Sequence, residues 1–355
     1  MTTAASATRS DQVRLLSAKD IAALQAQVET RSAELARELT WLDTLDIRQT
    51  PGGVAPRDLK IVAFNAERGS RYEGILALLQ GDSRLRDADV ILLSEVDWGM
   101  ARSDNRHVAR ELADALGGVG YIFGIEFLEL TKGEAFELEA AGENTWSFHG
   151  NAILSKFPLR HPRMLRLPRF CSWAEGTQAR IGGRMALLAE LETEAGEITV
   201  ASTHLEVRTT PEGRRGQLRP LIDALTPSRA AVIGGDLNTV TIDTGEMAEV
   251  YALPAYLEVD PHRLRRPERY EPLFVDIRAA GFLVDELNVA DETTNIPLGI
   301  PDPRIWMNLD WIVARGVAVE AHHEPPAVVR AEHAGARVSD HDFVVAHVGV
   351  CPGAG

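Results

Sequence analysis

Eight residues of this chain combine the right chemistry with a telling position: Asn65, Glu95, His204, Asp236, Asn238, Asp310, Asp340 and His341. LKIVAF runs into Asn65, DVILLS into Glu95, EITVAST into His204, and AVIGG into Asp236 with Asn238 two residues on. A polar group at the margin of a buried strand is costly unless it finds partners, so these endings point to one shared mouth. Glu95, Asp236, Asp340, Asn65 and Asn238 offer hard oxygen ligands, suited to Mg²⁺ or Mn²⁺ and not to zinc. His204 and His341 are imidazoles able to donate to a phosphoryl oxygen or move a proton, and Asp310 could orient one of them. With no reactive Cys or Ser motif, the set is suited to metal-assisted attack of water on phosphorus.

The elements that must carry these groups follow from the pattern around them. Short apolar runs begin at Leu59, Asp89, Asn151, Met185, Glu197, Ala230, Leu309 and Phe343 and read as buried strands. Asp310 and the pair Asp340-His341 precede their runs, whereas the other groups follow theirs. If all meet at one edge, some strands reach it by their C-termini and others by their N-termini. That excludes a doubly wound parallel sheet, whose sites lie at strand C-ends. Two packed sheets of mixed direction with helices outside satisfy it. Helical stretches are expected over 104–116, 214–225 and 272–280, and long irregular loops over 126–148, 160–182 and 241–270.

Before the first strand, residues 1–16 read as a disordered N-terminus and 17–49 as an amphipathic helical extension with Ser17 and Asp20 as its capping pair. That extension would pack on the domain or on a second subunit. TPGGVAPRD over 50–58 reads as a linker, and 59–350 as the catalytic domain. The chain has 355 residues, 45% of them hydrophobic, enough to bury a substantial core. A net charge of −15 disfavours a protein that tracks nucleic acid over a broad surface. Cys171 and Cys351 are too few for a disulfide framework. With no signal-peptide pattern and no apolar run near the roughly 18 residues of a membrane span, a soluble cytoplasmic protein is expected.

Taken in order, VAFNAERG, LLSEVD, HGNAILSKFPL, STHLE, GGDLNT, LDWIV and SDHDFVVAHV resemble the endonuclease/exonuclease/phosphatase superfamily across residues 59–349. That group includes pancreatic-type deoxyribonucleases, abasic-site endonucleases and neutral sphingomyelinases. The resemblance implies an α/β (α+β) fold, a four-layer sandwich of two central mixed β-sheets flanked by helices, and a metal-dependent phosphoric ester hydrolase. It implies that Glu95 is the main Mg²⁺ ligand, with Asn65 and Asp340 nearby and Mn²⁺ as a substitute. It also implies that Asp236 and Asn238 position water, that His341 is held by Asp310, and that His204 meets a non-bridging oxygen. Whether Asp236 or His341 takes the proton stays open. Arg184 matches a phosphate-contacting arginine, with a surface salt bridge as the alternative. His149 sits on the site side of its strand, either contacting substrate or packing. Ala201 stands where abasic-site endonucleases have Tyr.

A small or lipid-like phosphodiester is the favoured substrate. A nonspecific nuclease using Arg163, Arg166, Arg169 and 262–269 as a groove is the alternative, and a non-catalytic binding protein of this fold a third. Asp97 should share the orientation of Glu95. Asp104 and Asn105 are expected to cap the following helix. Glu126, Glu129, Glu134, Glu137 and Glu139 are expected as a solvated acidic loop, and Trp146, Trp173 and Trp306 are candidates to line the mouth.

Overall fold

A computed structural model of the protein describes residues 15–241, 257–297, 304–320 and 323–352. The apolar runs become strands of two sheets. The larger, nine-stranded sheet holds β1 (Leu45–Arg48), β2 (Asp58–Arg68), β3 (Val90–Trp98), β4 (Gly120–Glu129), β5 (Phe148–Ser155), β7 (Arg180–Gly182) and β14 (Phe343–Val350). Two short strands, Val317–Ala318 and Ala327–Val329, pair with β14. The smaller, five-stranded sheet holds β6 (Arg160–Arg166), β8 (Met185–Thr193), β9 (Gly196–His204), β10 (Ala230–Asp236) and β13 (Asp310–Arg315). A hairpin of β11 (Thr294–Pro297) and β12 (Arg304–Met307) lies beside it in sequence.

Each sheet combines both directions. In the larger, β2 and β3 are parallel while β5 and β14 run antiparallel to them. In the smaller, β9 and β10 are parallel while β8 and β13 are antiparallel. The side-chain period of two then sorts the apolar residues into layers. Ile61, Ala63 and Leu92 face Leu187, Val200, Val232 and Ile312 between the sheets. Val62, Phe64 and Leu93 face the other way, against α2 (Tyr72–Gly81) and α3 (Val108–Ala115). On the far side, Leu188, Ala201, Ile233 and Val313 pack on α4 (Pro211–Leu225) and α5 (Leu273–Ala279). Burial on both faces explains why these strands read as unbroken apolar runs. The result is the expected four-layer sandwich. Among the described residues no helix is long and apolar enough to cross a membrane.

Several elements differ from the sequence expectation. The N-terminal helix α1 (Ala18–Glu38) has the reciprocal Ser17–Asp20 cap, but it stops well before residue 49. Its Val28 and Leu35 pack into the α2–α3 layer of this same chain. Residues 45–48 then form the edge strand β1 on β4. Helix α3 starts at Val108, not at 104; His107 caps it by accepting from Arg110 N, and Asp104 instead closes the preceding turn with a left-handed backbone. Strands β4 and β6 occupy parts of the expected loops 126–148 and 160–182. Residues 1–14 of the expected disordered terminus and 242–256 of the third loop lie outside the described residues.

Strand β1 also brings in a buried charge. Asp46 accepts hydrogen bonds from Tyr121 Oη at 2.7 Å and from Arg110 Nη2 and His107 Nε2 at 2.8 Å. Burial opposes its charge, but the bonds from His107, Tyr121 and Arg110 outweigh it and hold the carboxyl well below the usual range. A depressed folded pKa contributes stability above the unfolded value of about 3.9, lost as pH falls from there toward the folded value. Asp46→Asn is therefore expected to be less stable at neutral pH and to have a shallower acid limb. Urea unfolding at several pH values checks this, and parallel acid limbs in both proteins would refute it.

Candidate active site

One edge of the sandwich collects the polar strand ends. Asn65 and Glu95 arrive at the C-terminal ends of the parallel pair β2 and β3, and His204 and Asp236 at those of β9 and β10. Asp310 opens the antiparallel β13 directly opposite Asp236. Asp340 and His341 lie just before β14, whose start pairs with the end of β2. The opposed strand directions inferred from the sequence are the ones observed.

The backbone is bent locally to aim these groups. Register slips between Asn65 and Arg68 and between Leu93 and Val96. Glu67, Arg68, Glu95 and Asn238 take φ of 43°, 68°, 51° and 49°. Left-handed backbone at non-glycine residues costs on the order of 1–3 kcal/mol each and concentrates at functional sites. Gly235, at φ 143°, is required because a Cβ there would lie 1.9 Å from Thr203 O.

The side chains form two connected groups. In the first, Asn65 Nδ2 donates to Glu95 Oε1 at 3.2 Å and to Asp236 Oδ2 at 3.1 Å, bridging the sheets. Glu67 Oε2 accepts from Asp340 N at 3.1 Å. Burial, with the charges of Asp340 and Glu95, pushes Glu67 up to about 7, and burial with Glu95 nearby raises Asp340. Glu95 is held well below the usual range: burial opposes its charge, but Arg68 at 3.7 Å and His204 prevail. Crowded carboxylates of this kind fit a divalent cation, whose charge would relieve their repulsion. Glu67, Glu95 and Asp340, with Asn65, are the oxygen donors that would hold it. Glu67 was missed in the sequence. Its signal was its place two residues beyond Asn65.

In the second group, His341 Nδ1 and Asp310 Oδ2 are 2.8 Å apart, and Thr294 Oγ1 lies 3.0 Å from both. His341 Nε2 faces Asp236 Oδ2 at 3.7 Å and Asp340 Oδ1 at 3.9 Å. Burial works against an imidazolium, but Asp310, Asp340 and Asp236 hold the His341 pKa well above its usual value. Burial and Asp310 push Asp236 up to about 7. Asp236 Oδ1 accepts from Asn238 N at 2.8 Å, and Asn238 Nδ2 donates to Leu205 O at 2.9 Å. Asp236, Asp310 and His341 bring ligand-type atoms within 4.8 Å of one another. A cation there would displace the His341–Asp310 hydrogen bond, so the trio reads better as a proton-handling unit.

His204 Nε2 lies 3.5 Å from Asp236 Oδ2 and 3.9 Å from Glu95 Oε1. Behind it, Arg184 Nη1 is 2.8 Å from Nδ1. A guanidinium only donates, so Nδ1 accepts and the ring proton sits on Nε2, facing the cleft. Burial and the Arg184 charge keep this imidazole neutral, well below its usual pKa. Arg184 lines the cleft, and its ion pairs are not the surface salt bridge offered as the alternative. It is buried, paired with Glu126 Oε2 at 3.1 Å and Glu206 Oε2 at 3.4 Å. Removing one partner of such a buried cluster strands the others. Arg184→Leu is expected to lower stability by about 3–5 kcal/mol, measured by urea unfolding; a change under about 1 kcal/mol would contradict this buried pairing.

Glu126 and Glu129 are likewise not solvated. They lie fully buried on β4, with Glu129 reached by Arg102 and Arg180 at 3.4 Å. Glu137 is buried on Arg68 and Arg102, while Glu134 and Glu139 are exposed. His149 is buried, its Nδ1 2.8 Å from Asp97 Oδ1, and Asp97 also pairs with Arg102 at 2.9 Å. These residues brace the floor of the site. Trp173 lines the cleft, whereas Trp146 packs on Trp98 and Trp306 lies under Arg330. The cleft holds about 690 Å³, with Phe136, Trp173, Val207, Val240 and Leu309 as its apolar wall.

Known proteins share this arrangement of strands. Residues 62–341 match the model of the Endonuclease/Exonuclease/phosphatase family. An endonuclease/exonuclease/phosphatase from Beutenbergia cavernae DSM 12333 has 18% identity over 83% of this chain and 72% of its own, with a TM-score of 0.53. One from Bacteroides vulgatus has 14% identity over 82% and 99%, with a TM-score of 0.49. A 3'-5' exonuclease from Neisseria meningitidis has 14% identity over 81% and 98%, with a TM-score of 0.48. No curated protein sequence matches the chain. With the family model spanning most of its length, the chain belongs to the endonuclease/exonuclease/phosphatase family, whose members are generally divalent-metal-dependent hydrolases of phosphoesters.

Proposed function

We propose that this protein is a Mg²⁺-dependent phosphodiesterase that cleaves a small or lipid-like phosphodiester by attack of water, with Mn²⁺ as a substitute. The carrying observation is the junction of the Glu67–Glu95–Asp340 carboxylates with the Asp310–His341–Asp236 unit in a cleft that has one apolar wall. Glu95, with Asn65, Asp340 and Glu67, would hold the cation, which when bound polarises the phosphoryl oxygen. Asp236 and Asn238 orient the water, and Asp236 accepts its proton. His204 presents Nε2–H to a non-bridging oxygen. His341, fixed through Nδ1 on Asp310, donates its Nε2 proton to the leaving oxygen.

The preference for a compact substrate has support of its own. Three of the arginines that could have formed a groove for a nucleic-acid strand are engaged. Arg163 pairs with Glu190 at 3.4 Å, Arg166 with Asp43 at 2.8 Å, and Arg169 bonds Ser32 Oγ at 3.0 Å. The body is acidic, at −15. A non-catalytic protein would have no need to keep all eight polar strand ends in register. The test is hydrolysis of bis-p-nitrophenyl phosphate with Mg²⁺, Mn²⁺ and a wider metal panel, beside plasmid, single-stranded DNA and RNA at low salt. Metal-dependent release of p-nitrophenol is expected. Silence on every substrate with every metal would sink the reading, and faster cleavage of the polymers would replace the compact substrate with nucleic acid.

A further inference from the structure

Four arginines line the cleft, and they are not equivalent. Arg68 pairs with Glu137 at 2.6 Å, Arg180 with Glu129 at 3.4 Å, and Arg184 with Glu126 at 3.1 Å. Among the described residues, no carboxylate lies within ion-pair distance of the fourth, Arg208. Its guanidinium instead lies over the Trp173 ring, 4.7 Å from the centroid. Trp173 is itself fixed, donating from Nε1 to Glu206 Oε2 at 2.8 Å. The Arg208 backbone is fixed as well, its N–H donating to Glu206 Oε1 at 3.0 Å. A cation held on an indole face beside a cleft keeps its N–H donors available in a set direction.

We infer that Arg208 is a specificity residue that binds a second anionic group of the substrate, beside the ester that is cleaved; this rests on the phosphodiesterase reading above. Among the described residues no hydrogen bond or ion pair joins Arg208 to Glu95, His204, Asp236 or His341, and its connection to His204 runs through Trp173, Glu206 and Arg184. The anion it meets is therefore not the one at His204. Arg208 follows His204 by four positions, so their Cα atoms are at most about 14 Å apart, within reach of one small molecule. A polyanion would need many such contacts. One arginine in the cleft without a carboxylate partner among the described residues, on an acidic body, selects a compact diester with one additional phosphate or carboxylate.

Two p-nitrophenyl esters of thymidine 5′-phosphate, one with and one without a 3′-phosphate, test this with the full-length enzyme and Mg²⁺. The wild type is expected to favour the 3′-phosphorylated ester about tenfold in kcat/KM, through KM, the effect of one charge-assisted contact. Arg208→Ala should bring that ratio to about one, and Arg208→Lys should restore part of it. A merely structural role would lower both esters together and leave the ratio standing, which would overturn the inference. So would a wild type that turns over both esters equally. A wild type inert on both esters and on bis-p-nitrophenyl phosphate would overturn the phosphodiesterase reading itself, a result distinct from an unchanged ratio.

Discussion

Glu95→Gln is expected to lower kcat by about a thousandfold or more, since electrostatic help from a bound cation supplies several kcal/mol of a barrier. The substitution keeps shape and removes one charge at the point where Asn65, Arg68 and His204 converge. Folding should survive it. Arg68 retains Glu137 and Glu134 as partners, so no buried cation is stranded. Two measurements separate the causes: calorimetric titration with Mn²⁺ should show weakened binding, and far-UV circular dichroism should be unchanged. Full activity in the variant would mean that the cation is held elsewhere, with the Asp236–Asp310–His341 trio the first place to look.

His341→Ala is the second large effect, and its size should depend on the leaving group. Asp310 and Thr294 fix the imidazole through Nδ1, and three carboxylates favour its protonated form. A positioned acid of this kind contributes typically about 10²–10⁴-fold. An alkoxide leaving group needs the proton, whereas p-nitrophenolate departs without it. The penalty should therefore approach the upper figure for an alkyl diester and shrink for bis-p-nitrophenyl phosphate. Equal penalties on both would show that His341 stabilises charge without delivering a proton. Asp310→Asn should reproduce the same leaving-group pattern more weakly, because it loosens the ring without removing it.

How much of this was visible beforehand depends on where each residue's partners lie in the chain. Asn65, Glu95, His204 and Asp236 were legible because each ends an apolar run, and the opposite placement of Asp310 and Asp340-His341, before theirs, already pointed to sheets of mixed direction. The bracing charges were not legible. Glu126 and Glu129 look like solvated acids until Arg184, Arg180 and Arg102 are placed against them, and Arg184 is 58 residues from Glu126. Strand β6 was hidden for a related reason: an edge strand reading RHPRMLR buries only Met164 fully and lacks an apolar signature. Strand β1 is only four residues long and follows directly on a helical pattern. Helix α3 misled because an Asp-Asn pair resembles a cap, whereas His107 had the geometry to serve as one.

The hydrogen bonds from Asn65 to Glu95 and Asp236 carry a consequence for how the molecule comes to life. Asn65 and Glu95 belong to one sheet and His204, Asp236 and Asp310 to the other, so neither sheet alone contains the complete site. The last strand, β14, returns from the C-terminal end of the chain to lie beside β2 and delivers His341 as it does so. During refolding, activity should therefore appear only after both sheets have docked and β14 has paired with β2. Secondary structure would recover before that. If the proposed activity holds, turnover would serve as a clock for the final assembly step, blind to everything that precedes it.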